Sequence, residues 1–255
     1  MLSLENFKSI NIENWSHNAR FWIEHVNEEE NRARLLYDIF TDKINKIVFI
    51  NDSTRKNKET LIVDMGCGEG SFIRKCVEKN VNSKYIGVDI CEPFIKWAQE
   101  RDSRNTYLIG DIEKEVPIDN GVADVVVSLL SLIEVVDLSK AISEMVRIVS
   151  KDGHVLICIL HPLFDIIRLH DNAHEKAQLT EKYLSSVVVP IKKKIKIKDK
   201  TFNRHYFRIH HNLNKYFEIF DKHKLIVKEY NEFHLLADLD EKIVKPVFIF
   251  MHLTR

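Results

Sequence analysis

Glycine is scarce in this chain, yet three of its seven glycines, Gly66, Gly68 and Gly70, fall within five residues. The run Asp64-Met65-Gly66-Cys67-Gly68-Glu69-Gly70-Ser71 follows a β-rich stretch, Leu61 to Met65, and leads into a helical one, Ser71 to Lys79. Residues without Cβ at a strand-to-helix turn let the backbone reverse sharply and lie close to a ligand, so this turn is read as the binding mouth of an α/β sheet. Its spacing narrows the ligand. A dinucleotide fingerprint, G-x-G-x-x-G, needs its third glycine at position 71, which is Ser71. Asp64, just ahead of the glycines, is awkward beside a pyrophosphate and suits the ammonium of an amino-acid ligand. Asp89 ends the next β-rich run, where a carboxylate can accept both hydroxyls of a ribose. Asp111 ends the third, after Gly110, within reach of an adenine amino group. Asp64 and Asp111 could each instead cap the helix that follows. Taken together, three strand-end acids around one glycine turn point to an adenosine that carries a cationic amino acid.

From Leu61 to Pro162 short β-rich runs alternate with helical stretches, the pattern of crossover units on a parallel sheet. Strands are expected at 61–65, 84–89, 105–109, 123–129 and 154–160, several continuously apolar as strands covered on both faces are. Helices are expected at 71–79, 93–101 and 138–150, the last ended by Lys151-Asp152-Gly153 as a glycine stop. Residues 1–58 read as an N-terminal helical cap, with Phe21, Trp22, His25 and Val26 on one apolar side and Ala33, Leu35, Leu36, Ile39 and Phe40 on the next; Asn51 to Glu59 reads as a loop. Residues 59–255 form the core of a single domain, interrupted by an insertion at 163–210 that is too long for a plain crossover and is expected to cap the pocket. A helix at 212–223 and strands at 225–230 and 247–253 complete a doubly wound, mostly parallel seven-stranded sheet with an antiparallel edge.

Composition excludes several classes. A chain of 255 residues with 45% hydrophobic and 30% charged residues is globular rather than disordered or fibrous. Its 38 basic residues balance 38 acidic ones, without the positive excess of a protein that coats nucleic acid. The first fifteen residues include Glu5, Lys8 and Glu13 and do not read as a secretory signal, and no apolar stretch is long enough to span a bilayer. The four cysteines lack C-x-x-C pairing, so reduced thiols and a cytoplasmic location are expected.

The motif Asp64-Met65-Gly66-Cys67-Gly68-Glu69-Gly70 matches the D-x-G-x-G-x-G loop of the class I S-adenosylmethionine-dependent methyltransferases, and the chain resembles that family from about Asn14 to His161. Ile86-Gly87-Val88-Asp89 is similar to its ribose-binding strand end and Gly110-Asp111-Ile112 to its adenine-side motif. Ala123 to Ser128, Arg147-Ile148-Val149 and Asp152-Gly153-His154 are similar to its fourth strand, following helix and fifth strand. One departure is the single glycine before that fifth strand, where the family usually has a proline and two. The resemblance implies the Rossmann-like methyltransferase fold and S-adenosyl-L-methionine as cofactor, with S-adenosyl-L-homocysteine as product and no metal. Cofactor contacts would then come from Asp64, Gly66, Cys67, Gly68, Gly70, Asp89, Ile90, Asp111, Ile112 and Ser128, with Trp22 in place of the family's usual N-terminal aromatic. The implied reaction is methyl transfer to an oxygen or nitrogen of a small molecule. Transfer to tRNA or another macromolecule is the alternative, and a catalytically silent cofactor-binding protein a third.

A sulfonium methyl is already a strong electrophile, so the protein has mainly to position a lone pair and exclude water. Positioning is worth ~7–11 kcal/mol, against about 3–5 kcal/mol for a general base. Two catalytic candidates stand at the expected rim of the sheet. His161, ending the fifth strand, is a base or substrate-orienting residue, or else a satisfied strand-end histidine. Glu134, after the fourth strand, contacts substrate or is a solvated charge at a helix start. Tyr206, Arg208, His210 and His211 lead into the late helix, and one of them is expected to face the pocket. Trp15, Phe21 and Trp22 share a helical surface that could face the sulfonium or simply staple the helix to the sheet. Trp97 packs near the adenine plane or in the helix–sheet core. The stretch Lys192 to Lys200 alternates lysine with isoleucine near its centre and reads as a β-ribbon with one solvated face, or as an attractor for RNA or an acidic partner.

Overall fold

The computed structural model describes residues 4–26, 32–54, 59–79, 83–163, 183, 187–197, 200–234 and 247–255. Two long helices, α1 (Leu4–Val26) and α2 (Arg32–Thr54), precede β1 (Thr60–Met65), α3 (Ser71–Glu78), β2 (Ser83–Asp89), α4 (Glu92–Arg101), β3 (Thr106–Ile109), β4 (Ala123–Leu129), α5 (Leu138–Ile148) and β5 (Val149–Leu160). After them come β6 (Val187–Ile197), β7 (Lys200–His210), α6 (Leu213–Lys222), β8 (Ile226–Phe233) and β9 (Phe248–Thr254). Seven strands form one sheet in the order β3-β2-β1-β4-β5-β9-β8. The β1–β2, β2–β3, β1–β4 and β4–β5 pairs are parallel, while β9 runs antiparallel to both its neighbours. The expected reversal is therefore present one strand inside the edge, because the last strand of the chain inserts between β5 and β8.

Alternation along the central strands divides the core into two layers. Val63 and Met65 of β1 and Val126 of β4 face α5 and α6, where Ile142, Met145, Tyr216 and Phe220 are buried against them. Ile62, Val125 and Val127 face the other way, toward Leu36, Phe40 and Ile44 of α2 and Phe72 and Ile73 of α3. By the same alternation Asp64 shares the face of Ile62, and it is buried there. A third, smaller cluster joins Ala19 and Ile23 of α1 to Cys91 and Phe94 around α4, which lays α1 across the end of the sheet.

Several local expectations need correction. Helix α2 continues to Thr54, through the first part of what reads as a loop, since Asn51 to Thr54 contain neither glycine nor proline to stop it. Leu35 is 43% exposed, whereas Leu36 and Phe40 are buried. Helix α5 ends at Ile148, its cap Val149 already extended at φ −67°, ψ 137°, so Gly153 is no left-handed stop. Between Ala123↔Val149 and Val125↔His154 the β4–β5 register shifts, and a Cβ on Gly153 would lie 2.6 Å from Val149 Cγ2. Gly153 is small because the bulging chain crosses itself there. The β-ribbon is present, with β6 and β7 paired antiparallel from Val187↔His210 to Ile197↔Lys200. It forms a sheet of its own instead of an edge of the main one, and β7 lies against α1. The side chains of Lys192 to Lys200 and of Tyr206 lie outside the described residues, as do those of His25, Val26 and Ala33. All four cysteines are free and buried, and no helix among the described residues is long and apolar enough to cross a membrane.

Candidate functional site

In an open α/β sheet ligands bind beyond the carboxyl ends of the strands, where the strand order reverses. Here that point lies between β1, which leads outward to β2 and β3, and β4, which leads the other way to β5. The turns after β1 and β4 are clamped together. Gly66 has φ +87°, and a Cβ placed on it would lie 2.3 Å from Ser131 Cβ. Ser131 Oγ in turn donates to the Met65 carbonyl at 2.8 Å, and the Gly66 N–H donates to the Val88 carbonyl at 2.7 Å. Gly70 caps α3 in the left-handed conformation, where any Cβ would press on the Tyr107 ring at 2.8 Å. Gly68, at φ +55°, differs from both: nothing stands within 4 Å of the position its Cβ would take, so its open side is free for a ligand. Across the mouth, Leu130 holds φ +59° and is tied by its N–H to the Cys158 carbonyl at 2.8 Å. A bulky residue in that region carries about 1–3 kcal/mol of strain, held by the surrounding bonds.

The three predicted acids have three different environments. Asp89 is fixed by the turn itself, its carboxylate accepting the Gly68 N–H at 2.8 Å and the Cys91 N–H at 2.9 Å. Burial raises its pKa and these backbone donors oppose the rise. Two N–H bonds leave each carboxylate oxygen further lone-pair capacity for a ligand's hydroxyls. Asp64 is 2% exposed, and its Oδ1 is buried without a hydrogen-bond partner among the described residues. Burial, and then the nearby charge of Asp89, pushes its pKa up to about 8. It does not cap α3, whose cap is Gly70 with no side-chain bond. Asp111 is paired instead with Lys8 of α1, whose Nζ lies 2.6 Å from Oδ2. The same ammonium is 3.1 Å from Glu113, and the Glu113 carboxylate also accepts the N–H groups of Val136 and Asp137 at 3.0 and 2.9 Å. Asp111 thus holds α1 over the end of β3, and Glu113 ties that helix to the chain beyond β4.

These elements enclose a cavity of about 280 Å³. Gly66, Cys67, Gly68, Asp89, Ile90, Asp111, Ile112, Trp22 and Glu134 all line it, whereas Asp64 and Gly70 do not. The Trp15 indole N–H donates to Glu134, and Trp15 meets Trp22 edge to face at 5.4 Å, so the aromatic surface of α1 forms one wall of the cavity. Of the four candidates before α6, Arg208 reaches the cavity wall. His210 bonds the Tyr183 carbonyl at 3.0 Å and His211 the Val135 carbonyl at 3.2 Å, both rings being buried.

Three further expected residues lie off the cavity wall. Ser128 is fully buried and bonds Ser131, so it supports the floor without lining it. His161 follows Leu160, which does line the cavity, but its own backbone N–H is taken by the Val247 carbonyl and its Nε2 lies 3.5 Å from Glu232 of β8. Pairing with β9 has turned the ring toward the β8 side. Burial lowers the His161 pKa, with Glu232 opposing. Trp97 packs in the α1–α4 cluster with the Arg101 guanidinium stacked 3.1 Å from its ring centre, away from the cavity. Conversely, Lys8, Glu113 and Tyr37 belong to the site and were not expected. Tyr37 lines the cavity from α2, and burial together with the charges of Glu69 and Asp64 pushes its pKa well up. The signal for Tyr37 was its place on the apolar side of α2; Lys8 meets a partner 103 residues away and gave none.

Residues 63–157 match the family model described as a methyltransferase domain. A malonyl-[acyl-carrier protein] O-methyltransferase of Salmonella typhimurium is 33% identical over 99 residues, 39% of this chain and 38% of that one. The human mitochondrial arginine-hydroxylase NDUFAF5 is also 33% identical, over 93 residues that make up 36% of this chain and 26% of that protein. The chain thus spans well under half the length of these curated relatives. Among solved structures, magnesium protoporphyrin IX methyltransferase (ChlM) from Synechocystis PCC 6803, with bound SAH, shares the fold with a TM-score of 0.59 at 12% identity, over 97% of this chain and 99% of that one. With the strand order and the glycine turn, the match over residues 63–157 identifies this part of the chain as a methyltransferase domain of the class I, S-adenosylmethionine-dependent family.

Proposed function

We propose that this protein binds S-adenosyl-L-methionine in the cavity at the switch point and transfers its methyl group to an oxygen or nitrogen of a small molecule. The observation that carries the reading is the pair formed by Asp64 and Gly68: a buried carboxylate oxygen without a partner, beside a backbone turn with an open face. A buried carboxylate costs free energy unless it meets a cation, and the ammonium of the cofactor is such a cation. Asp89, already aimed by the Gly68 and Cys91 N–H groups, accepts the ribose hydroxyls. Ile90, Cys91, Phe94 and Ile112 give the adenine an apolar slot, with Asp111 and Lys8 at its rim. Bound there, S-adenosylmethionine supplies an electrophilic methyl on a sulfonium; Trp15 and Trp22 exclude water and offer aromatic faces to the positive sulfur.

Of the two catalytic candidates, Glu134 is retained as an acceptor-orienting residue because it lines the cavity, while His161 is assigned to tying the end of β5, across β9, to Glu232 of β8. The small-molecule reading is supported by the part of the wall that α1 and Arg208 of β7 add over the switch point, a concave site and not a flat face. The two curated relatives carry different activities in their names, and their matched segments are confined to little more than a third of this chain, so the acceptor is decided by elements outside that core. Calorimetric titration with S-adenosylmethionine and S-adenosylhomocysteine tests the cofactor, and transfer of a labelled methyl to a panel of small acceptors and to tRNA tests the reaction. Failure of both cofactor forms to bind would end the proposal, and salt-sensitive methylation of tRNA alone would replace the acceptor class.

A further inference from the structure

S-adenosylmethionine ends in an amino acid, and that end carries two opposite charges. The surroundings of the glycine turn suit only one of them. Asp64 and Asp89 stand beside the turn, and Glu69, which lines the cavity, is already ion-paired with Arg74. An ammonium is stabilised there, whereas a carboxylate has to be held by hydrogen-bond donors against these charges. The turn itself has few donors to give. The N–H groups of Gly66 and Cys67 both go to the Val88 carbonyl, at 2.7 and 3.0 Å, that of Gly68 to Asp89 at 2.8 Å and that of Gly70 to the Cys67 carbonyl at 3.1 Å. Of the amides from Gly66 to Gly70, only that of Glu69 has no acceptor among the described residues.

A further donor comes from outside the turn. The face of β1 that carries Asp64 is covered by α2, and Tyr37 of that helix packs beside Cys67 and Phe72, its ring centre 5.7 Å from that of Phe72. Tyr37 lines the cavity, and its hydroxyl has no hydrogen-bond partner among the described residues; the Thr41 hydroxyl donates to its backbone carbonyl and leaves the phenol untouched. Burial and the neighbouring charges of Glu69 and Asp64 keep the phenol protonated, and so keep it a donor. From this arrangement, and resting on the function proposed above, we infer that the Tyr37 O–H donates to the carboxylate at the amino-acid end of the cofactor and makes the site selective for ligands that carry it. A phenol is a neutral donor, so it can stand among Asp64, Glu69 and Asp89 without being drawn into an ion pair, as Arg74 is by Glu69. Tyr37 precedes the segment 63–157 shared with the family, so this selectivity belongs to the N-terminal layer of the chain.

The test is calorimetric titration of the full-length protein with S-adenosylhomocysteine and with its decarboxylated amine, S-adenosyl-3-thiopropylamine, which differ only in the carboxylate. Wild-type protein should bind S-adenosylhomocysteine at least about tenfold tighter, the size expected for a hydrogen bond to a charged group. Y37F removes one oxygen and keeps the ring against Phe72. It should weaken S-adenosylhomocysteine about tenfold and change the amine by less than about twofold. R208Q, which alters the β7 side of the cavity, should leave the preference intact. Urea denaturation checks that both variants fold. Equal affinity of the two ligands for wild type, an equal loss of both in Y37F, no loss of either, or a preference abolished by R208Q and kept by Y37F would each overturn the inference. If neither ligand binds wild-type protein, the cofactor assignment fails and the role of Tyr37 falls with it. Tight S-adenosylhomocysteine binding that Y37F leaves unchanged would remove Tyr37 alone and keep the cofactor reading.

Discussion

The two sides of the cavity are built in opposite ways. The cofactor side is local: the turn after β1 supplies Gly66, Cys67 and Gly68, and Asp89 reaches across a single strand pair to bond that same turn. The cap side is assembled from distant pieces, Lys8 and Trp15 of α1 meeting Asp111 and Glu134 more than a hundred residues further on. Local construction gives a rigid, motif-like cradle. Assembly at a distance gives a cover whose specificity can change without disturbing the cradle.

The comparison can be broken most severely at Gly66. Alanine there meets Ser131 at 2.3 Å and must also hold φ +87°, so a loss of about 3 kcal/mol or more is expected from overpacking and backbone strain together. Gly68→Ala, with open space before it, should cost only about 1–2 kcal/mol of stability, the ordinary penalty for a left-handed alanine, yet abolish cofactor binding. Urea denaturation and calorimetry on the two variants separate the effects; equal losses of stability would mean that the turn is not clamped as described.

Asp89→Ala should weaken cofactor affinity by at least about tenfold, or ~1.4 kcal/mol, with the fold retained; unchanged affinity would remove its role. Asp64 gives a prediction in pH. Its folded pKa, about 8, lies above the ordinary carboxylate value because of burial. The unfolded chain therefore holds fewer protons at this group between the ordinary carboxylate range and pH 8, and stability falls as pH rises through that window. A cationic ligand favours the ionised form, so cofactor binding should release a proton near neutral pH, and affinity should rise with pH until about 8 and then level. Asp64→Asn should flatten both profiles, raise the stability of the unliganded protein and weaken the cofactor. Persistence of the proton release in that variant would assign it to another group.

On the cap side the effects are smaller. Lys8→Ala removes a partly buried ion pair and should cost about 1 kcal/mol, read best as faster proteolysis or amide exchange in α1, with the sheet unaffected. His161→Gln should leave kcat within about twofold, well below the loss expected for a general base; a larger loss, with a matching change in the pH–rate profile, would return the imidazole to the chemistry.

How much the sequence disclosed follows the same division. Strand β4 is recovered with the bounds read from the sequence, and the glycine turn and Asp89 lie where spacing alone put them, because crossover units are written in short contiguous runs. His161 and Ser128 were placed correctly along their strands and wrongly in azimuth: which way a side chain points beyond the last ladder bond depends on β9 and on Ser131, neither of which is adjacent in sequence. Lys8 was legible only as one more charged residue in the opening segment. Asp111 looked like a ligand contact, and its bond to Lys8 became visible only once α1 was laid across β3.

The contact between Gly66 and Ser131 has a consequence for how such a chain can vary. One residue closes the first crossover half and the other opens the second, so the two positions share a single allotment of space. Any lineage that enlarges one must first shrink the other, and the order of those two steps is fixed by sterics before selection for a new substrate can act.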